Sequence, residues 1–332
     1  MKALATSFLL LLLNAATASA NVALLLEEPF GAFGGMNPTG HAAVYLSDVC
    51  ADSLVSLRRC HHGEQGVVIS RYHRVGRYDW IAIPVMAYLY GVDRAALAPR
   101  EASAQEVAAL RDDYRRKHLE EVAPDEADGG APQGDWTQLI GAAYDRTIYA
   151  FELKTAADQD DRFIRDFNSR SNENRFNLLF QNCADFARQV IDFYYPKAVR
   201  RSLIADVGIM TPKQAAKRLV RYGKKHPELQ FSGFVIPQVT GTVPRSTAVR
   251  GVIESLLKSK KYIVPLAPLA VLHPFIGGSL AVAWVEDGRF NPRRFANAGE
   301  SAVEPESIAQ ELQSNRIVAL APGRRESPTA SR

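Results

Sequence analysis

Apolar and polar positions divide the chain into a strand-rich first part, a helical middle and an irregular apolar last third. Met1-Lys2 precedes an apolar run from Phe8 to Leu13, small residues from Ala15 to Ala18, and the small-x-small triplet Ala18-Ser19-Ala20. That order is the pattern of a secretory signal peptide. Its apolar core is short against the roughly 20 residues that span a bilayer. Residues 1–20 are therefore expected to be removed, leaving a mature protein that is periplasmic or extracellular. Val22 to Leu26 is a short apolar run that predicts a strand. Gly31, Gly34, Gly35 and Gly40, with Pro38 among them, mark a loop, and no phosphate-cradle motif follows. His41 to Ser47 predicts a second strand with His41 at its start. Further strands are expected over 53–58, 66–72 and 79–84, each bounded by turn residues.

From residue 101 the period changes. Val107, Leu110 and Tyr114 recur at helical spacing over Gln105–His118, and Trp136, Ile140 and Tyr144 follow at four-residue steps. Residues 123–135 read as a surface loop, Thr147–Leu153 as a strand, and the segments holding Phe163, Ile164 and Phe167, 182–195 and 212–222 as helices. Residues 227–250 are rich in Pro, Gly and Thr. Tyr262–Val285 is strongly apolar but broken by Pro265, Pro268, His273-Pro274 and Gly277-Gly278, so it predicts buried or membrane-adjacent packing and not a spanning helix. These patterns divide the chain into a signal peptide (1–20), a main domain over 21–225 with a helical insertion at about 101–145, an apolar C-terminal region over 226–298, and a disordered tail over 299–332.

Composition narrows the classes. With 47% hydrophobic and 23% charged residues the chain has the makings of an ordinary folded core. A formal net charge of +4 is too mild and too unpatterned for nucleic-acid binding. The basic residues concentrate between Lys197 and Lys225, where nine face a single acid, Asp206. The sharper reading of that segment is a helix that docks Lys213, Lys217, Arg218 and Arg221 on an anionic membrane or wall surface; the plainer one is a solvated helix face.

Three cysteines, Cys50, Cys60 and Cys183, leave one thiol over in an oxidising compartment. Cys50 and Cys60 are close enough to staple a loop, although spacing alone permits the other two pairings. The surroundings of Cys183 favour leaving it free. Asn182 is an N-cap residue, Asp185 completes a capping box, and Phe186, Val190 and Phe193 give an inward stripe. This sets Cys183 in the first turn of a helix, where free N–H groups and the helix dipole are expected to lower a thiol pKa and to hold an oxyanion. Among seven histidines, His41 follows a Pro-Thr-Gly turn and starts a strand, which suits a base aimed at a helix-borne thiol. His61 and His62 lie beside Cys60, but no further ligand recurs at metal spacing, so neither a metal nor another cofactor is expected.

Gly40-His41-Ala42-Ala43-Val44-Tyr45-Leu46, followed far downstream by Asn182-Cys183-Ala184-Asp185-Phe186, resembles the circularly permuted branch of the NlpC-type papain-like superfamily, which includes the lecithin:retinol acyltransferase-like proteins. The resemblance implies an α+β fold: an antiparallel sheet packed on a cysteine-bearing helix, with Cys183 as nucleophile and His41 as base. It also implies a third polar residue on the strand after that of His41. Leu54–Arg58 offers Ser56 there, and His73 is the substitute one strand on. The implied function is an exported cysteine hydrolase or acyltransferase that cleaves an amide or ester of cell-wall peptide or lipid through an acyl-thioester. The alternative is a catalytically inactive protein that keeps the fold and binds the envelope surface.

Overall fold

The structure is a computed structural model that describes residues 20–31, 34, 38–73, 75–202, 205–241, 243–258, 263–264, 268, 270–296 and 308. The signal-peptide reading of residues 1–20 falls almost wholly outside these, as does the tail reading of 299–332 apart from Ile308.

The fold is α+β, built on a six-stranded sheet. Its strands are β1 (Ala20–Glu27), β2 (His41–Leu46), β5 (Val67–Ser70), β6 (Ile81–Pro84), β7 (Ile148–Thr155) and β8 (Ser232–Ile236), in the order β6-β5-β2-β1-β7-β8. All of these pairings are antiparallel. β1 is central and buried along its whole length, which explains why Val22 to Leu26 is apolar at every position and does not alternate.

Both faces of the sheet are covered. Val22, Leu24 and Leu26 of β1 and Ala42 and Val44 of β2 point to one side. There they meet α3 (Ala157–Ser169), α4 (Cys183–Tyr194) and α5 (Pro212–Lys225) through Phe163, Phe186, Val190 and Leu219. Ala23, Leu25, Ala43 and Tyr45 point to the other, against α1 (Val85–Tyr90), α2 (Ala104–His118) and the segment from Trp136 to Tyr144.

Several expectations change. The strand expected over 53–58 is instead a hairpin turn. Leu54 and Val55 join β3 (Val49–Ser53) to β4 (Ser56–Arg59) in a separate two-stranded sheet, and a Cys50–Cys60 disulfide closes its base. The four-residue spacing of Trp136, Ile140 and Tyr144 does not make one helix. A 3-10 turn, Asp135–Leu139, and a single helical turn, Ala142–Asp145, are separated by Gly141 at φ 72°. The boundary set at 225 does not hold either, because β8 completes the sheet beside β7.

The basic helix α5 is turned inward. Lys213 and Lys217 are buried, and Lys213 pairs with Glu254 at 2.5 Å on α6 (Val252–Lys258). Lys217, Arg218 and Arg221 surround Glu286 at 3.3, 3.6 and 3.7 Å. The four cations assigned to an anionic surface are thus engaged by two acids of the C-terminal region, which the sequence pattern of α5 alone does not reveal. Of the buried or membrane-adjacent packing expected for Tyr262–Val285, the described residues do not show the buried form. Around α7 (Pro274–Ala283), Val271, Leu272 and Phe275 are exposed. Among the described residues no helix is long and apolar enough to cross a membrane.

Candidate active site

His41 owes its place to the turn before it. Gly40 has φ 71°, and a Cβ there would collide with the carbonyl oxygen of Glu27. Only glycine lets the chain turn this close to β1 and enter β2 with His41 opposite Glu27. Cys183 owes its place to Asn182. The Asn182 Oδ1 accepts from the N–H groups of Ala184 at 2.9 Å and Asp185 at 3.0 Å. Its Nδ2 donates to the carbonyls of Leu178 and Met210, both at 3.0 Å. One side chain therefore caps α4 and ties down the chain on both sides of the thiol. Asp185 closes the capping box and is held in turn by Arg201.

Packing of α4 on β2 brings the two elements together, and His41 and Cys183 line the same cavity of about 960 Å³. The Cys183 sulfur lies against the backbone N–H of Ala42, the residue after His41, and near its own N–H and that of Ala184. Since Ala184 N–H is already shared with Asn182, the N–H groups of Cys183 and Ala42 are the better oxyanion donors. Cys183 is the free cysteine.

Neither Ser56 nor His73 is the residue hydrogen-bonded to His41 Nε2. Ser56 opens β4 in the separate hairpin. His73 stands at the cavity rim, 52% exposed, with its Nδ1 3.7 Å from Asp135 and its ring against Phe176. Ser70, the last residue of β5, is the one that reaches the ring: its Oγ is 2.7 Å from His41 Nε2 and 3.0 Å from the carbonyl oxygen of Ala42. A hydroxyl has one proton, and a carbonyl only accepts. With the Ser70 proton on Ala42, Nε2–H donates to Ser70 and Nδ1 keeps the lone pair; with that proton on Nε2, the two ring nitrogens exchange roles. The strand beside that of His41 in the sheet is β5 and not the next in sequence, because the β3–β4 hairpin forms a sheet of its own.

A buried polar group backs the site. Tyr72 stacks on the His41 ring at 4.8 Å. Its hydroxyl donates to that of Tyr88 at 3.4 Å, and Tyr88 donates to Glu27. Arg146 Nη1 lies 3.0 Å from the Glu27 carboxylate, and the guanidinium covers the Phe30 ring at 4.3 Å. None of these was singled out from sequence; Glu27 and Arg146 are interruptions of apolar stretches, the one signal that could have marked them.

This setting reverses the expected titration of the thiol. Burial pushes Cys183 up to about 11, outweighing the N–H groups at the helix start, and the nearby Glu27 carboxylate adds to the rise. The side chain is half-buried and lines the cavity. Burial, helped by the Arg146 charge, lowers His41 to about 3. Thiol and imidazole are both neutral at rest. The sulfurs of Cys50 and Cys60 approach Glu64, but their disulfide leaves them no thiolate for a metal.

Comparison with family models, with curated proteins and with solved structures finds no match to this chain.

Proposed function

We propose that the chain is an exported thiol hydrolase or acyltransferase, on a permuted papain-like arrangement, acting on an amide or ester. One observation carries this reading: a free thiol at a capped helix start shares a cavity with a histidine whose Nε2 is held by Ser70.

The chemistry starts from the neutral pair. As the Cys183 sulfur bonds to the substrate carbonyl carbon, its proton passes to His41 Nδ1, and the carbonyl π pair moves onto oxygen. The N–H groups of Cys183 and Ala42 face that oxygen. Collapse of the intermediate breaks the bond to the leaving amine or alcohol, which takes the proton from Nδ1. A water, or an acceptor hydroxyl or amine, then gives its proton to Nδ1 and attacks the thioester. The thiolate leaves and recovers that proton. Tyr72 limits the ring to one plane, and Ser70 fixes its tautomer.

Turnover of a panel of acyl esters and amides tests the reading. Cys183→Ala is expected to abolish release of the leaving group, and His41→Ala to slow it by about 10²- to 10⁴-fold, the usual worth of a general base. Equal turnover by the Cys183→Ala protein would place the chemistry on another residue, and no turnover by either protein would favour the inactive, surface-binding alternative.

A further inference from the structure

The cavity wall contains two guanidinium groups, Arg71 and Arg146, which are 6% and 3% exposed. Each is held by one acid at one corner. Arg71 Nη2 donates to Asp79 at 2.6 Å, and Arg146 Nη1 meets Glu27 at 3.0 Å. Neither pair is bidentate. The Nε of each is buried and has no hydrogen-bond partner among the described residues. A guanidinium offers five donors in a rigid fork suited to carboxylate and phosphate oxygens, and donors withdrawn from water are costly to leave unfilled. Both groups line the same cavity, and each carries donors beyond the corner that its one acid fills.

The rest of the lining is of another kind. Phe30, Phe176, Leu178, Met210 and Val252 make much of it apolar, and the acid on it, Asp135, stands with His73. A ligand complementary to this wall has a hydrocarbon part and one anionic oxygen group. Arg146 also lies close enough to His41 for its charge to bear on the ring, so the anion would sit near the reacting centre.

We propose that this cavity selects an acyl substrate bearing a carboxylate or phosphate, which Arg146 and Arg71 receive beside Cys183. The inference rests on the hydrolase reading for the word substrate, but the anion site stands or falls independently. It also has a consequence for the chemistry. Arg146 disfavours a proton on His41, and an anion against Arg146 offsets that charge. A bound substrate of the right kind therefore eases the transfer from Cys183 that an empty or neutral-filled cavity resists.

Binding to the Cys183→Ala protein, measured by calorimetry, tests the site without turnover. The probes are N-hexanoylglycine, its methyl ester, and hexyl phosphate. At least one anion is expected to bind ten times or more tightly than the neutral ester, and which one does so distinguishes a carboxylate from a phosphate source. Arg146→Gln, or Arg71→Gln, should bring that anion to within about twofold of the ester. Because Arg146→Gln strands Glu27, the paired change Arg146→Gln with Glu27→Gln is measured beside it. Equal binding of all three probes, or full preference kept in every arginine variant, would overturn the proposal. Preference without any acylation of Cys183 in the unmutated protein would keep the anion site and remove the hydrolase reading.

Discussion

The Nε2 of His41 sits 2.7 Å from the Oγ of Ser70, across the β2–β5 pairing, and this bond decides which ring nitrogen is basic. Ser70→Ala removes it while leaving the apolar surroundings of β5 intact. Turnover is expected to fall by about 10- to 100-fold in kcat, with KM little changed, because orientation and not binding is lost. Ser70→Thr, which keeps the hydroxyl, should recover most of the rate. A loss in KM alone would place Ser70 with the substrate and not with the base.

The thiol is expected to be sluggish without substrate. With Cys183 pushed up to about 11 by burial, little of it is thiolate at neutral pH. Alkylation by iodoacetamide should be slow at pH 7 and climb steadily to pH 10, with Cys50 and Cys60 protected by their disulfide. Mass spectrometry under non-reducing conditions reads both. Rapid labelling at pH 6 would show that an ion pair forms in the free protein.

His41 is expected to make the fold acid-sensitive. Its ring stays neutral down to about 3, while an unfolded histidine binds a proton near 6.5. Between those values the unfolded chain holds more protons, so stability from this group is present above about pH 6.5 and is lost as pH falls toward 3. Each unit of difference is worth about 1.4 kcal/mol at most. Urea midpoints at pH 7 and pH 4.5 should converge in His41→Gln relative to the unmutated protein. An identical acid loss in both would place the titration elsewhere.

Lys213 and Glu254 test how the C-terminal region is attached. Both side chains are buried, and they meet at 2.5 Å. Lys213→Met leaves the buried Glu254 with Lys258 as its cation, so the loss should fall below the roughly 3–5 kcal/mol of a fully stranded charge, and Lys213→Met with Glu254→Met should recover most of it. Chemical denaturation of the three proteins decides. Additive losses would mean that the pair is not coupled.

The sequence showed the parts of this site that are local. Asn182, Cys183 and Asp185 form one capped turn, and Gly40-His41 forms one turn into a strand, so their spacing carried them. What escaped depends on which strands are neighbours. Ser70 is 29 residues from His41 and reaches it only because the β3–β4 hairpin stands outside the main sheet. The titration of Cys183 escaped for a similar reason. A helix start lowers a thiol pKa, but the depth of the cavity around it is a property of β1, β2 and the loops together. The basic stripe on α5 looked free because Glu254 and Glu286 lie 41 and 69 residues beyond their lysines.

The central claim is that Cys183 carries the acyl group and His41 assists it. Intact-mass spectrometry during reaction with an activated ester, such as a p-nitrophenyl hexanoate, with the adduct mapped by digestion, measures this directly. One hexanoyl group is expected on Cys183, formed at least about 10²-fold more slowly in His41→Ala and absent in Cys183→Ala. An adduct that forms on another residue at the same rate in all three proteins, or no adduct while the ester is turned over unchanged by Cys183→Ala, would contradict it.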